Sequence, residues 1–212
     1  TQDALSAGLA GLSLPDRVRS IIGRQLDRLD ERSRELVTQA SVVGREFEFA
    51  LLQNVSGLGE EEVARAVEEL ARRRLLHSVG ELFDFTHDRV REVTYSRILA
   101  PRRRVLHRRV AEALATLHAE NLAPHHLALG RHYSEGEVWD QAVVHLSWAG
   151  ARAAKRSANR EALACFDHAL AALAHLPESR FWLEQAFEIR LELRTVLSWC
   201  GEIRLARARL CE

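Results

Sequence analysis

Ten histidines, three cysteines and several clusters of arginine are the side chains through which this 212-residue sequence could do chemistry. His118, His125, His126 and His132 form the densest group, and neutral imidazole is a common zinc ligand. Two histidines on one helix reach a shared ion at a spacing of four. These stand seven, one and six apart, and Pro124 breaks the helix between them. His168 and His175 fail the same test, so no metal site is expected. Cys165, Cys200 and Cys211 are odd in number and form no C-x-x-C pair, which points to free thiols in a reducing cytosol. The sequence holds no G-x-x-x-x-G-K-[ST] phosphate loop, G-x-G-x-x-G, H-E-x-x-H or G-x-S-x-G. Such patterns hold phosphates, metals and nucleophiles. Without them no catalytic residue is nominated, and the segment is expected not to be an enzyme.

Two groups of residues remain. Arg102, Arg103, Arg104, Arg108 and Arg109 crowd one helix start, in the plainest reading a solvated face, in the functional one a patch for phosphate or an acidic partner. The stretch Phe85-Thr86-His87-Asp88-Arg89-Val90-Arg91-Glu92 sets a histidine and an aspartate between a strand and a helix. By spacing alone His87 is a helix-start residue and Asp88 a cap or first-turn charge.

The elements that position these residues follow from composition and periodicity. With 47% hydrophobic and 28% charged residues, and 30 acidic against 30 basic groups, the chain is globular and neutral overall. Neutrality argues against whole-surface nucleic-acid binding. All but one of the basic residues are arginine, the exception being Lys155, a bias that genome composition also produces. No run of 18 apolar residues and no basic N-terminal flank occurs, so neither a membrane span nor a signal peptide is read.

Pro15, Pro101, Pro124 and Pro177 stand where helices should begin. Residues 1–12 read as a linker, followed by an S-x-x-D capping pattern at Ser13 and Asp16. Helical stripes run through Val18 to Leu29 and Leu36 to Val43, with Gly44 as the stop. The next strong helix opens on Glu60, Glu61 and Glu62 and closes on Arg72, Arg73 and Arg74, matching the helix dipole at both ends. Leu75 to Val79 and Leu82 to Thr86 flank Gly80-Glu81 and predict a β-hairpin. Three short helices before a two-stranded hairpin is the winged-helix order. From Asn121 onward alanine-rich helices take over. Leu129-Gly130, Tyr133, Ala142, Leu146 and Ala149 fall at tetratricopeptide spacings, with an echo at Ala162, Phe166 and Ala169. The echo is 20 residues away instead of about 34, so one helix is expected to serve two neighbours. A long helix after Pro177 ends at Gly201, and Glu202 to Glu212 stops in mid-helix, as expected of a piece cut from something longer. The fold class is therefore mainly α: a winged-helix domain with a small hairpin over 13–120, and an incomplete tetratricopeptide-like array over 121–212.

Leu14-Pro15, Leu26-x-x-Leu29, Ala40-Ser41-Val42-Val43-Gly44-Arg45-Glu46-Phe47, Phe85-x-His87-Asp88, Tyr95 and Arg104-x-x-His107 together resemble the region after the nucleotide-binding domain of STAND-type signalling ATPases. The nearest likeness is to bacterial predicted ATPases joined to adenylate cyclase, kinase or LuxR-type output domains. The resemblance spans residues 13 to about 175. It implies a winged helix packed on an upstream ATPase domain of the same chain and a repeat arm that senses a protein or small-molecule inducer. Related plant and animal proteins carry Met-His-Asp, whose histidine contacts the β-phosphate of ADP. Thr86-His87-Asp88 looks like the counterpart, with threonine replacing methionine. His87 and Asp88 are then nucleotide-sensing residues that work only with the upstream domain.

Three readings follow. The first is a non-catalytic, cytoplasmic regulatory segment of a larger ATPase, moved as a rigid body when nucleotide state changes. It needs no cofactor of its own, while ATP and ADP are implied for the parent. The second is a DNA-binding winged-helix regulator; it is disfavoured because the helix before the hairpin carries Glu60, Glu61, Glu62, Glu68 and Glu69. The third is a helical adaptor whose concave face is lined by Tyr133, Trp139, Trp148 and Trp182.

Overall fold

The computed structural model describes residues 16–199. The expected linker 1–12, the Ser13 cap, and everything from Cys200 onward, including Cys211, lie outside the described residues. The fold is mainly helical with one small antiparallel sheet. It divides into two compact units, one ending at Leu99 and the other beginning at Ala100.

In the first unit, α1 (Asp16–Asp27) and α2 (Glu31–Val43) precede the three-residue strand β1 (Glu46–Glu48). Then come α3 (Phe49–Ser56), α4 (Glu60–Arg72), β2 (Leu76–Val79), β3 (Leu82–Phe85) and α5 (Asp88–Ser96). Asp30 starts α2 by accepting the Ser33 N–H at 2.9 Å, satisfying one of the donors a helix start leaves open. Gly57 ends α3 in the left-handed conformation, φ 68°, which glycine adopts without steric cost. The buried stripe of α4 is Val63, Ala66, Val67 and Leu70. It packs with Leu36, Val37, Leu52 and Leu75 into one core.

The expected hairpin is part of a larger sheet. β1 adds to the outer edge of β3, giving the order β1-β3-β2 with Phe47 opposite Phe83. In β1 only Phe47 is buried, too short a pattern for period-two alternation to register. Its ring lies 6.2 Å from Phe83 and 6.3 Å from Phe85, within the range of favourable aromatic pairing.

The second unit is α6 (Ala100–Leu117), α7 (His126–Glu135), α8 (Trp139–Lys155), α9 (Asn159–Leu173) and α10 (Arg180–Trp199). This unit begins about twenty residues before the expected domain boundary at 120. Helix α6, assigned to the first domain by its place after the hairpin, packs on α7. A Cβ on Gly136, just after α7, would sit 2.9 Å from Arg108 Cγ.

The 20-residue echo is a repeated packing step. Glu137 and Ser157 both take left-handed backbone, φ 56° and 58°. The next residue's N–H returns to the preceding helix in both cases, Val138 to the Tyr133 carbonyl at 2.9 Å and Ala158 to the Ala153 carbonyl at 3.0 Å. This hydrogen bond is the signature of a Schellman helix end. Downstream, Leu146 crosses Gly130, and Phe166 crosses Gly150, at distances that leave no room for a Cβ. Helix α8 is therefore the second helix of one step and the first helix of the next. No helix among the described residues is long and apolar enough to cross a membrane.

Candidate functional site

The corner between β3 and α5 places His87 and Asp88. Phe85 anchors the end of β3 in the core, and the Thr86 N–H donates to the Leu75 carbonyl at 3.1 Å. His87 follows in extended backbone as the residue before α5, its carbonyl accepting the Val90 N–H at 2.9 Å. Its side chain makes no capping hydrogen bond and is exposed. Asp88 occupies the first turn of α5, where the helix dipole favours a negative charge.

Arg45, just beyond the Gly44 stop of α2, reaches this corner. Its Nη1 donates to Asp88 Oδ2 at 3.1 Å, and its Nε lies 3.5 Å from Asp84 Oδ2. Asp84 is buried in β3, and its Oδ1 has no hydrogen-bond partner; nor does the buried Thr86 Oγ1. The two segments that carry the family resemblance, around Gly44-Arg45 and around His87-Asp88, thus meet through one guanidinium. Sequence separation hid that contact. The corner holds an exposed imidazole at the start of α5 and an arginine bound to the neighbouring Asp88, side chains that can hold a phosphate oxygen.

The arginine patch is arranged otherwise. Arg104 forks onto Glu137, Nη1 lying 2.8 and 2.9 Å from its two carboxylate oxygens, and Arg108 Nε donates to the Gly136 carbonyl at 2.6 Å. Both fasten α6 to the α7–α8 turn. Arg102, Arg103 and Arg109 complete the group on the same helix start, Arg102 and Arg103 with contacts of their own. Along α4 and its C-cap, Glu61 pairs with Arg65, and Glu69 with both Arg72 and Arg73. Glu62 pairs with Arg32 at 2.7 Å.

The histidines yield an arrangement that sequence spacing did not predict. His107 Nδ1 and His132 Nδ1 lie 2.9 Å apart in a buried pair joining α6 to α7. His126 Nδ1 and His145 Nδ1, also 2.9 Å apart, join α7 to α8. His118 and His125 stack face to face at 3.8 Å. All six histidines between 107 and 145 are therefore paired. No group of three or more potential ligands that could hold a metal ion occurs among the described residues. Burial lowers the His145 pKa to about 4, with the neighbouring His126 adding to the effect. Burial and the positive charge of Arg152 lower His126 as well.

Next to these pairs a cavity of about 640 Å³ opens between α7 and α9. Leu146 of α8 forms its floor, Leu127 and Arg131 one wall, and His168 and His175 the other. Trp139 stacks on His175 at 4.1 Å. The volume is that of a small-molecule site. Of the four aromatics that could line a concave face but at such spacings are more often core, Tyr133, Trp139 and Trp182 pack against the core of the unit, while Trp139 also lines this cavity and Trp148 a second one of about 520 Å³.

Comparison with known proteins finds a distant relative. A stretch of 165 residues, 76% of the chain, is 27% identical to an uncharacterized protein of Rhizobium meliloti (strain 1021). The chain spans only 16% of that protein's length. No protein-family profile matches the chain, and no solved structure matches it.

Proposed function

We propose that this chain is a non-catalytic regulatory and protein-interaction segment of a larger STAND-type ATPase: a winged helix followed by a tetratricopeptide-like arm, coupling nucleotide or partner state to a signalling or transcriptional output. The observation that carries the reading is the corner at which Arg45 binds Asp84 and Asp88 while His87 stands exposed. It joins the two most specific segments of the resemblance into one phosphate-competent surface. The order helix, strand, two helices, hairpin, with β1 on the edge of β3, supports the winged-helix assignment. The repeated helix step supports the arm, and the several-fold greater length of the relative is in keeping with a module of a large cytoplasmic protein. The cavity beside α7 is the place in the arm for a small-molecule or peptide inducer.

In the parent protein ADP is expected to bind an upstream ATPase domain and to touch this chain through His87, oriented by Asp88. The test is ADP retention by that longer protein. His87→Ala should weaken retention about tenfold, the worth of one hydrogen bond to a charged group, and should raise basal output. Unchanged retention and output would remove the proposal. The 212-residue chain alone should bind ADP weakly or not at all, and a phosphate loop should lie in the polypeptide preceding Thr1.

Direct recognition of duplex DNA is disfavoured by α4, whose exposed arginines are neutralised by its own glutamates and whose first turn would face phosphate with three negative charges. Salt-sensitive binding of a nonspecific duplex would reinstate it.

A further inference from the structure

Helix α7 presents three faces with different partners. His132 points to His107 of α6, and His126 points to His145 of α8. Leu127, Ala128 and Arg131 form a wall of the cavity. The flanking hydrogen-bonded links have the same chemistry, Nδ1 to Nδ1 across neighbouring helices. Such a bond requires one imidazole to donate and the other to accept, so at least one ring of each pair must be neutral. His107, His132 and His145 are buried, and for His145 burial lowers the pKa.

We infer that the two imidazole pairs form a proton-sensitive latch on α7, holding the helix and its cavity wall in place while at least one ring of each pair is neutral and releasing them when acidification charges both. A first proton taken up on Nε2 of the donating ring leaves the link intact, whereas charging both rings sets N–H against N–H at 2.9 Å and breaks it. The surroundings do not rescue the charge around His126 and His145. Arg152 of α8 bears on His126 with like charge. Tyr133, stacked on His145 at 5.4 Å, is neutral at these pH values, its own ionisation pushed up by burial and by Glu112 of α6 and Asp140 of α8.

The latch stands on the geometry of the array; its consequence for an inducer in the cavity rests on the proposed sensor role. The experiment separates the two, because it involves no nucleotide and no inducer. Amide hydrogen exchange of the 212-residue chain is followed from about pH 7 to about pH 5, corrected for the intrinsic dependence of exchange on pH. Protection of α7 should fall at least about tenfold beyond that dependence, as expected when proton uptake is linked to opening, while protection of α4 stays constant. His126→Gln with His145→Gln, and His107→Gln with His132→Gln, replace titrating rings by amides that still donate and accept. With both pairs replaced, the pH dependence of α7 should vanish. A decline equal to that of α4, or one that persists in the glutamine variants, overturns the inference. Should the variants not fold, the imidazole resonances of the unaltered chain decide. At least two histidines must titrate well below the ordinary range, and titration of all ten near their usual value refutes the latch.

Discussion

Replacing Gly150 by alanine sets two well-known effects against each other, and the structure says which wins. Gly150 lies in the interior of α8, where alanine is favoured over glycine by about 1 kcal/mol. A Cβ there, however, would lie 2.6, 2.8 and 2.9 Å from Cε1, Cδ1 and Cζ of Phe166. Carbon atoms pack at roughly 3.5–4.0 Å, so the ring must retreat by about 1 Å. Phe166 is itself fully buried and planar, with no flexible end to swing aside. Overpacking of this kind costs about 1–3 kcal/mol, and three simultaneous contacts place it near the top of that range. The net expectation is destabilisation of about 2 kcal/mol. Gly23 in α1 is the control, since nothing lies within 4 Å of its added Cβ; Gly23→Ala should stabilise by about 0.5–1 kcal/mol. Because the two glycines belong to different units, the assay is urea dependence of amide protection, read in α8 and α9 for Gly150 and in α1 for Gly23. Phe166→Leu should relieve the clash, so the double variant should be at least about 1 kcal/mol more stable than the sum of its single changes predicts. A stabilising Gly150→Ala, or no coupling to Phe166, would refute the account of the repeated step. Gly130→Ala, against Leu146 at 2.7 Å, should carry the same sign.

Three further outcomes are expected. The His145 imidazole has an ordinary pKa of 6.5 and a folded value of about 4, so stability from keeping it neutral is complete above about 6.5 and is lost as the pH falls toward 4. The shift corresponds to about 3 kcal/mol. His145→Phe, which keeps a ring on Tyr133, should flatten the acid dependence of the urea midpoint over that window. Asp30→Ala should cost about 1 kcal/mol in α2. The Ser33 N–H holds the Asp30 carboxyl below its usual range, so the wild-type advantage exists above the ordinary carboxylate pKa and fades as pH falls through the folded value, whereas Asp30→Asn should lose only the pH dependence. Cys165 is buried, and burial followed by the Glu161 charge pushes its thiol pKa up. Its alkylation by iodoacetamide, followed by peptide mass spectrometry, should run at least about a hundredfold slower than that of a free thiol; rapid labelling would contradict the packing of α9.

What the sequence announced, and what it concealed, divides along physical lines. Helix α4 was legible because its three glutamates and terminal arginine obey a local rule, the dipole, and its buried stripe obeys the helical period. The β2–β3 hairpin was legible from Gly80, which the structure finds at φ 62°. The 20-residue echo was legible as spacing, but its cause, a glycine under a large side chain at each crossing, needed the crossings themselves. Strand β1 was missed because it exists only by pairing with β3, some 35 residues later. That α6, which follows the hairpin in sequence, packs on α7 in the second compact unit was not legible, because no local period reports which neighbour a helix packs on. Of the candidate site, His87 and Asp88 were legible as a motif. Arg45 as their partner was not, since 43 residues separate it from Asp88. The histidine pairs were tested only for metal-binding spacing within a helix. They join different helices, 25 and 19 residues apart, and no local period encodes that.

The arrangement at Arg45 gives the proposed sensor a physical means of responding. One guanidinium serves two carboxylates, and the buried one, Asp84, already leaves an oxygen without a hydrogen bond. A buried carboxylate that loses its cation is strongly destabilised, so Arg45 cannot be drawn wholly onto an incoming phosphate without cost to β3. Asp88 is exposed and can give up its share to water at little expense. In the proposed sensor a phosphate arriving at His87 would therefore compete with Asp88 and leave the link to Asp84 in place. Since Asp88 opens α5 while Asp84 lies in β3, the competition falls on the joint between helix and sheet. An anion bound there changes the hold on α5 without dismantling the core beneath it, which is the kind of differential contact a nucleotide needs in order to bias one arrangement of a regulatory domain over another.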